Sequence, residues 1–375
     1  MRDKKSLGVV ETQYLPLPLS DGQMQLELGQ ILRPVTLAYE TYGILNKERD
    51  NAILVLHALS GDAHAAGYHQ SDEKPGWWDN MIGPSKALDT DKYFVICSNV
   101  LGGCKGSTGP SSLNPITGKP YGLDFPMITV GDMVHAQKHL VDQLGIKRLF
   151  AVIGGSMGGM QALEWVSAYP DCVRCVIPIA TALKNSPRQI ALNEVGRQAV
   201  MSDVSWNHGN YYETDKPEKG LAVARMLGHI TFMSEKSMEQ KFARRLKEKE
   251  KEFKFNAEFE VEGYLKYRGE SFVKRFDANT YLYITKALDY FDRSGERLIH
   301  KHLPEDVRFL VIAFKSDWLY PPHQSQEIVK LLKTRHVPAT YCEINASYGH
   351  DSFLVEPDEQ AHLVRHFLDK AFTGK

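Results

Sequence analysis

The sequence predicts an α/β fold with a mostly parallel central sheet, helices on both faces and an inserted helical lid domain. Two observations support this prediction. Up to about residue 181, short continuous apolar runs typical of strands covered on both faces alternate with amphipathic helical patterns. The alternation then gives way to helical patterns alone and returns near residue 307. Alternating strands and helices favour a parallel sheet between two helical layers.

The individual elements follow in chain order. Residues 1–50 favour β structure, with polar–apolar alternation over 23–28 and strand-forming residues over 34–42. The later predicted strands share a short apolar run: 52–56, 92–97, 149–153, 173–179, 307–313 and 339–344. The predicted helices share an apolar face or good helix formers: 132–144, the segment after Ser156, 221–233, 238–253, 281–291, 323–333 and 356–370.

The interruption of the alternation defines the domain organisation. We predict a first part of the core over 1–182, a helical lid insertion over 183–305 and a second part of the core over 306–375. Ligands of open α/β sheets bind at the carboxyl ends of the strands. We therefore expect the insertion to cover that edge. The charged run 241–254 is interpreted as a solvated helix face.

The composition is that of an ordinary globular protein. The 375 residues are 43% hydrophobic and 24% charged, with a formal net charge of −1. A balanced charge argues against nucleic acid or an anionic membrane as a partner. No apolar run reaches the ~18 residues of a membrane span, and none follows the first residues as in a signal peptide. We expect a cytoplasmic protein.

The cysteines and histidines predict neither a disulfide framework nor a metal site. The five cysteines are odd in number and scattered, and Cys172 and Cys175 lead directly into an apolar strand. We interpret these two as structural thiols. His64 and His69 share a loop, but the sequence offers them no convincing acidic or thiol partner. We therefore expect no metal.

A serine flanked by glycines lies at a predicted strand-to-helix turn, in the motif Gly154-Gly155-Ser156-Met157-Gly158-Gly159. This pattern is typical of the nucleophile elbow of α/β-hydrolases, where a strained turn lifts the serine hydroxyl clear of the sheet. The neighbours must be small so that strand and helix can approach closely. A Gly-rich phosphate loop is the alternative, but the motif lacks the Gly-Lys-Ser/Thr of a Walker loop.

A nucleophilic serine needs a base and a third group that orients the base. In α/β-hydrolases the chain order is nucleophile, acid, histidine. Asp317 follows the predicted strand 307–313, and His350 follows the predicted strand 339–344. Both are therefore expected at the carboxyl edge of the sheet, near Ser156.

Other residues compete less well for these roles. Asp351 could orient the base, but the side chains of adjacent residues rarely point at one another with suitable geometry. His323 falls at a helix start and His336 in a connection before a strand.

An oxyanion hole in this fold uses two backbone N–H groups. The residue after the nucleophile, Met157, supplies one. The loop after the strand 52–56 supplies the other, and Leu59 is the candidate there.

Six stretches, in order along the chain, resemble the homoserine O-acetyltransferases of the α/β-hydrolase superfamily. They are His57-Ala-Leu-Ser-Gly61, Asn99-Val-Leu-Gly-Gly-Cys-Lys-Gly-Ser-Thr-Gly-Pro-Ser-Ser112, Gly154-Gly-Ser-Met-Gly-Gly-Met-Gln-Ala162, Ala224-Arg-Met-Leu-Gly-His-Ile-Thr231, Ser316-Asp-Trp-Leu-Tyr-Pro321 and Gly349-His-Asp-Ser-Phe353. The resemblance covers nearly the whole chain.

The resemblance implies acetyl transfer from acetyl-CoA to L-homoserine in methionine biosynthesis, with no bound cofactor and a homodimer formed through the lid helices. It implies Ser156, Asp317 and His350 as the catalytic triad, a ping-pong mechanism through an acyl-serine, and Arg225 and Asp351 as ligands of the amino-acid substrate. Arg225 lies in an apolar helical stretch, where an unpaired charge is costly, so a substrate carboxylate is a suitable partner.

The acyl donor and acceptor leave alternatives open. Succinyl-using relatives carry Arg at the position of Leu319, and succinate needs a cation that Leu319 cannot supply, so we expect acetyl. Serine differs from homoserine by one methylene, worth only ~1–3 kcal/mol in a pocket. An esterase or thioesterase would use the same triad, and a non-catalytic binding protein on this fold is a further alternative that the intact triad disfavours.

Overall fold

An eight-stranded sheet forms the centre of the fold. The computed structural model describes residues 6–17, 23–70, 72–248, 253–299 and 303–373. In chain order the strands are β1 (Gln13–Pro16), β2 (Met24–Gln25), β3 (Ile31–Leu32), β4 (Thr36–Tyr42), β5 (Ala52–Leu56), β6 (Ile82–Gly83), β7 (Leu88–Asp89), β8 (Phe94–Ser98), β9 (Leu149–Gly155), β10 (Val173–Ile179), β11 (Arg308–Phe314) and β12 (Ala339–Ile344).

The strand order in the central sheet is β1-β4-β8-β5-β9-β10-β11-β12. Strand β4 runs antiparallel to both of its neighbours, and every pairing from β8 to β12 is parallel. Strands β2 and β3 pair separately, as do β6 and β7. The predicted mostly parallel sheet is confirmed. Because the parallel strands point the same way, the loops after β5, β9, β11 and β12 meet at one edge.

The described helices lie between and after these strands. They are α1 (Val130–Gln143), α2 (Met157–Ala168), α3 (Pro187–Met201), α4 (Glu218–Phe232), α5 (Glu235–Phe242), α6 (Glu260–Val273), α7 (Ala278–Tyr290), α8 (Pro322–Thr334), α9 (Ser352–Val355) and α10 (Pro357–Thr373). None of them combines the length and the apolar character that crossing a bilayer requires.

Hydrophobic cores lie on both faces of the sheet. Along β5, Leu54 and Leu56 pack into one buried cluster, whereas Ile53 and Val55 pack into another. This alternation is why a strand buried on both faces appears in the sequence as one continuous apolar run.

Helices α3 to α7 come between β10 and β11 in the chain and have a small core of their own. Helix α4 packs against α3 and α6. The buried members of this core include Val200 on α3, Leu221 on α4 and Phe272 on α6.

The predicted helix over 238–253 is wrong in its extent. Helix α5 ends at Phe242, and the next residue, Ala243, has a φ of 43°. The chain then doubles back, because the N–H of Lys247 donates to the carbonyl of Glu258 and the N–H of Glu260 to that of Arg245. The dense charge of residues 241–248 resembles that of a helix face, but the backbone of residues 245 and 247 hydrogen-bonds to residues 260 and 258 instead. Residues 249–252 lie outside the described part.

Candidate active site

Ser156 lies at the sharp turn between β9 and α2. Its φ of 58° and ψ of −122° define a backbone conformation that residues other than glycine rarely adopt. The turn is tight because β5 lies close beside it: a Cβ on Gly154 or Gly158 would overlap the carbonyl oxygen of Leu56. Small residues are therefore required on both sides of the serine.

Hydrogen bonds from the neighbouring strand hold this turn. The Ser156 N–H donates to the carbonyl of Ile179 at 2.9 Å, and the Thr181 hydroxyl donates to the Ser156 carbonyl at 2.9 Å. Ile179 is the last residue of β10 and Thr181 follows it by two residues, so the parallel pairing of β9 with β10 fixes the serine backbone.

His350 and Asp317 form a buried pair at the same edge of the sheet. The His350 Nδ1 lies 2.7 Å from one Asp317 carboxylate oxygen. The other oxygen accepts the backbone N–H groups of Leu319 (2.9 Å) and Tyr320 (2.8 Å). A carboxylate held this way orients the ring, and the pair leaves Nε2 as the nitrogen available to a hydroxyl. Ser156 and His350 line one cavity.

The protonation of His350 follows from these neighbours. Burial alone lowers the pKa of His350, but the charge of Asp317 and its hydrogen bond outweigh burial and raise the pKa above its ordinary value. Such a base takes up a proton readily.

The competing residues lie elsewhere or lack this contact. The hydrogen-bonded partner of His350 is Asp317, and the adjacent Asp351 instead faces the cavity. His323 is exposed at the start of α8, and His336 is exposed in the connection before β12.

Two backbone N–H groups at this edge of the sheet have no acceptor in the described part of the chain. Within the described ranges, neither the N–H of Met157 nor that of Leu59 donates a hydrogen bond to the protein. Met157 begins α2, where the helix dipole favours negative charge. Leu59 lines the cavity from the loop after β5.

His57 braces the loop that carries Leu59. Its Nε2 accepts the N–H of Val100 at 3.0 Å, so its proton is on Nδ1, which lies 2.8 Å from the carbonyl of Ala58. Burial lowers the pKa of His57, which keeps the ring neutral.

The cavity over Ser156 has a volume of about 140 Å³ and mostly apolar walls. Helices α3 and α4 contribute much of its lining, and the loop after β5, Leu319 and His350 contribute other parts. Sequence analysis did not predict four residues of the cavity wall as site residues: Ser60, Phe232, Phe272 and Tyr281. A signal exists for Phe232, because its four-residue spacing from Gly228 puts both on one face of α4.

Arg225 and Asp351 place opposite charges in this cavity. The guanidinium of Arg225 lies over the rings of Phe272 (4.7 Å) and Phe232 (5.4 Å) and donates to the Ser60 hydroxyl at 3.3 Å. Burial and the nearby Arg275 lower the pKa of Arg225 to about 10, so it stays charged at neutral pH. Burial raises the pKa of Asp351. In the described part of the chain neither residue has an ion-pair partner.

Glu40 gives His64 and His69 the acidic partner that the sequence analysis did not find. This fully buried carboxylate on β4 binds four side chains: His64 Nδ1 at 3.0 Å, His69 Nε2 at 2.8 Å, and the hydroxyls of Thr12 and Tyr42, both at 2.8 Å. The three ionisable side chains lie close enough to hold a metal ion. Both histidines also hydrogen-bond to Glu40 directly. The Tyr42 hydroxyl accepts the N–H of Ala65, which anchors the loop after Leu59.

Comparison with known proteins identifies relatives with this fold. A family model described as the alpha/beta hydrolase fold matches residues 51–357. A homoserine O-acetyltransferase of Methanohalobium evestigatum is 59% identical, with 99% of this chain and 76% of that protein aligned.

Two solved structures are similar over 96% of the chain, each 33% identical in sequence. One is a homoserine O-acetyltransferase from Bacillus anthracis, with a TM-score of 0.87 and 98% of that chain covered. The other is esterase E22, with a TM-score of 0.86 and 100% of that chain covered.

Proposed function

The chain belongs to the α/β-hydrolase family and, within it, to the homoserine O-acetyltransferases, and on this premise we propose that it transfers an acetyl group from acetyl-CoA to the hydroxyl of L-homoserine. One observation carries the proposal beyond the family name. A serine, a histidine–aspartate pair and two opposite charges surround one small cavity, as an acyl transfer to a zwitterionic amino acid requires.

The first half-reaction forms an acyl-enzyme. Ser156 attacks the thioester carbonyl while Nε2 of His350 takes the hydroxyl proton, and Asp317 stabilises the resulting imidazolium. The N–H groups of Met157 and Leu59 hold the oxyanion, and each such donor is typically worth about 3 kcal/mol. The carbon–sulfur bond then breaks, and CoA leaves as the thiol with the proton from His350.

The second half-reaction uses the same groups. His350 takes the proton of the homoserine hydroxyl, the oxygen attacks the acetyl carbon, and Ser156 leaves with the proton. Arg225 binds the carboxylate of homoserine and Asp351 its ammonium, which positions the hydroxyl against the acyl-serine. Ping-pong kinetics follow from the covalent intermediate.

The acyl group is acetyl because the cavity wall offers Leu319 where a longer dicarboxylic acyl group would need a cation. The Leu319 side chain lines the cavity, while its carbonyl accepts a hydrogen bond from Gln189 at 2.7 Å. An apolar side chain there fits a methyl group.

The organisation of the chain is part of the same proposal. We divide it into core (1–182), lid (183–305) and core (306–375), which is supported by the separate small core of α3 to α7. The lid helices form a homodimer contact, for which the exposed apolar side chains Val195 and Val223 are suitable. All five cysteines are free thiols, as expected in the cytoplasm.

The test is thiol release from acetyl-CoA with and without L-homoserine, beside a Ser156→Ala variant. The proposal expects release that requires homoserine, is accompanied by O-acetylhomoserine and disappears in the variant. Release that is indifferent to homoserine would overturn it. L-serine as acceptor is tested in parallel, and a higher kcat/KM with serine would reassign the acceptor.

Ester hydrolysis is the second candidate function, because the similarity to esterase E22 is as high as that to the solved transferase. The two functions differ in the acceptor of the acyl-enzyme. An esterase hydrolyses p-nitrophenyl acetate at a rate that homoserine does not change, whereas the transferase diverts the acyl group to homoserine.

A further inference from the structure

The catalytic cavity is too small for a whole CoA thioester. Its volume is about 140 Å³, whereas pockets that enclose drug-sized ligands measure roughly 300–1,000 Å³. If acetyl-CoA is the donor, as proposed above, only its acyl end fits beside Ser156. The nucleotide end, with its phosphates, must bind elsewhere on the surface.

A second cavity, of about 280 Å³, offers a cationic surface next to the first. We call it the basic cleft. Four cations line it: Lys105 after β8, Lys216 before α4, and Lys274 and Arg275 after α6. All four are exposed, and none has an ion-pair partner within the described ranges. Their concentration is a local feature, since the whole chain has a net charge of −1.

The acidic groups of the basic cleft do not neutralise it. Two carboxylates line it, Glu218 and Asp277. Asp277 is occupied, because it accepts hydrogen bonds from the hydroxyls of Tyr211 (2.6 Å) and Tyr212 (3.2 Å) and caps α7 through the N–H of Thr280. Four cations therefore face two carboxylates, one of them already engaged.

The basic cleft and the catalytic cavity share a wall. Phe272, at the end of α6, lines the catalytic cavity, and the next residues, Val273 and Lys274, line the basic cleft. Arg275 crosses between them, since its guanidinium donates to the carbonyl of Ser60 at 2.9 Å. Ser60 lines the catalytic cavity, so a ligand in the basic cleft lies one side chain away from the acyl site.

We propose that the basic cleft binds the phosphate groups of the acyl-CoA donor, with Lys216 and Lys274 as phosphate ligands. The proposal rests on the proposed function and adds a binding site for the donor's nucleotide end. Lysine ammonium groups are suitable ligands for phosphate, and four cations in one cleft match the several negative charges of that end.

The experiment compares two acetyl donors: acetyl-CoA, and S-acetylpantetheine, which has the same thioester arm without phosphates. The variant is the double substitution Lys216→Gln and Lys274→Gln. The control is Lys330→Gln with Lys333→Gln, two exposed lysines on α8 outside both cavities. The ratio of kcat/KM for acetyl-CoA to that for S-acetylpantetheine is expected to fall about tenfold or more through KM, because the variant loses two charge-assisted contacts to phosphate.

Each outcome is decisive. An unchanged ratio, or an equal loss with both donors, overturns the proposal. A loss as large in the α8 control also overturns it, because the effect would then be one of general charge. Binding of adenosine 3′,5′-bisphosphate to the free protein, measured by calorimetry, tests the phosphate site independently of the proposed acetyl transfer. If neither donor acetylates homoserine, the proposed function fails, and the cleft is still tested by whether the double variant loses this binding at least tenfold.

Discussion

Arg225 and Asp351 face one cavity with opposite charges and make no ion pair with each other. Two half-buried opposite charges left apart are unfavourable in a protein without a ligand, because neither compensates the desolvation of the other. The separation is useful if a molecule with both charges, such as an α-amino acid, completes both pairs. The acceptor then supplies the missing partners.

Replacing Arg225 with Met should raise KM for L-homoserine about 10- to 100-fold, because a charge-assisted contact with the carboxylate contributes ~1.5–3 kcal/mol. The measurement is steady-state transfer at saturating acetyl-CoA. Arg365→Met, at an exposed position on α10, is the matched control. A KM that stays at the wild-type value in the Arg225 variant would exclude this residue from acceptor binding.

Ser156 has a strained backbone conformation and carries the proposed nucleophilic hydroxyl. Its substitution by Gly should therefore increase stability while abolishing turnover. Glycine adopts the φ of 58° and ψ of −122° without a Cβ penalty, whereas Ala retains the penalty. We expect Ser156→Gly to be more stable than Ser156→Ala by about 1 kcal/mol in urea unfolding. Both variants should lose about 10⁵-fold or more in kcat. Equal stability of the two variants would show that the turn is unstrained.

Asp317→Asn should change the pH dependence of kcat/KM as well as its size. The base must be neutral to accept a proton, so activity rises with pH through the pKa of His350, which Asp317 holds above the ordinary value. Without the carboxylate, burial dominates and lowers that pKa, so the acidic limb moves to lower pH. The kcat should fall roughly 10³- to 10⁴-fold. A limb that moves to higher pH in the variant would contradict this account.

Leu319→Arg should shift donor preference towards succinyl-CoA. A guanidinium in the cavity wall gives the distal carboxylate of succinate a partner, which is expected to raise kcat/KM for succinyl-CoA relative to acetyl-CoA about tenfold. The control is Leu319→Met, which keeps the wall apolar. The proposal of acetyl as the natural acyl group fails if the kcat/KM of the wild-type enzyme for succinyl-CoA equals or exceeds that for acetyl-CoA.

Glu40→Gln should make the free energy of unfolding less dependent on pH in acid. Burial would raise the pKa of Glu40, but hydrogen bonds from His64, His69, Thr12 and Tyr42 overcome it and lower the pKa to about 2. A depressed carboxyl pKa stabilises the fold fully above the unfolded value of ~4.3, and this stability is lost as the pH falls towards 2. The contribution is on the order of 3 kcal/mol.

Urea unfolding at pH 7 and pH 3 measures this effect, with Glu239→Gln, an exposed position on α5, as the control. The wild type should lose more stability between the two pH values than the Glu40 variant does. Identical losses would mean that the Glu40 network does not contribute through its charge.

The features that sequence analysis could predict are those encoded locally or by a topological rule. The serine turn is visible because strand formers, glycines and helix formers follow one another within a few residues. Asp317 and His350 could be located because parallel strands deliver their following loops to one edge. The strands 52–56, 173–179 and 339–344 agree with β5, β10 and β12, since strands buried on both faces leave continuous apolar runs.

The features that it could not predict depend on contacts between distant segments. Glu40 meets His64 and His69 only because β4 lies beside the loop after β5, and no spacing along the chain announces this. The end of α5 at Phe242 is set by backbone hydrogen bonds to residues 258 and 260, which override a charge pattern that favours a helix. The basic cleft likewise gathers cations from three separate loops.

The order of the strands has a consequence for the newly synthesised protein. Ser156, its turn and the helices that roof the cavity all precede β12 and His350 in the chain. Synthesis proceeds from the N-terminus, so these parts leave the ribosome first. A nascent chain therefore carries Ser156 and Arg225 before it carries His350 and Asp351, and it cannot consume acetyl-CoA until these last two residues have been made. Activity begins only when β12 joins the edge of the sheet, which makes turnover a direct report of complete folding.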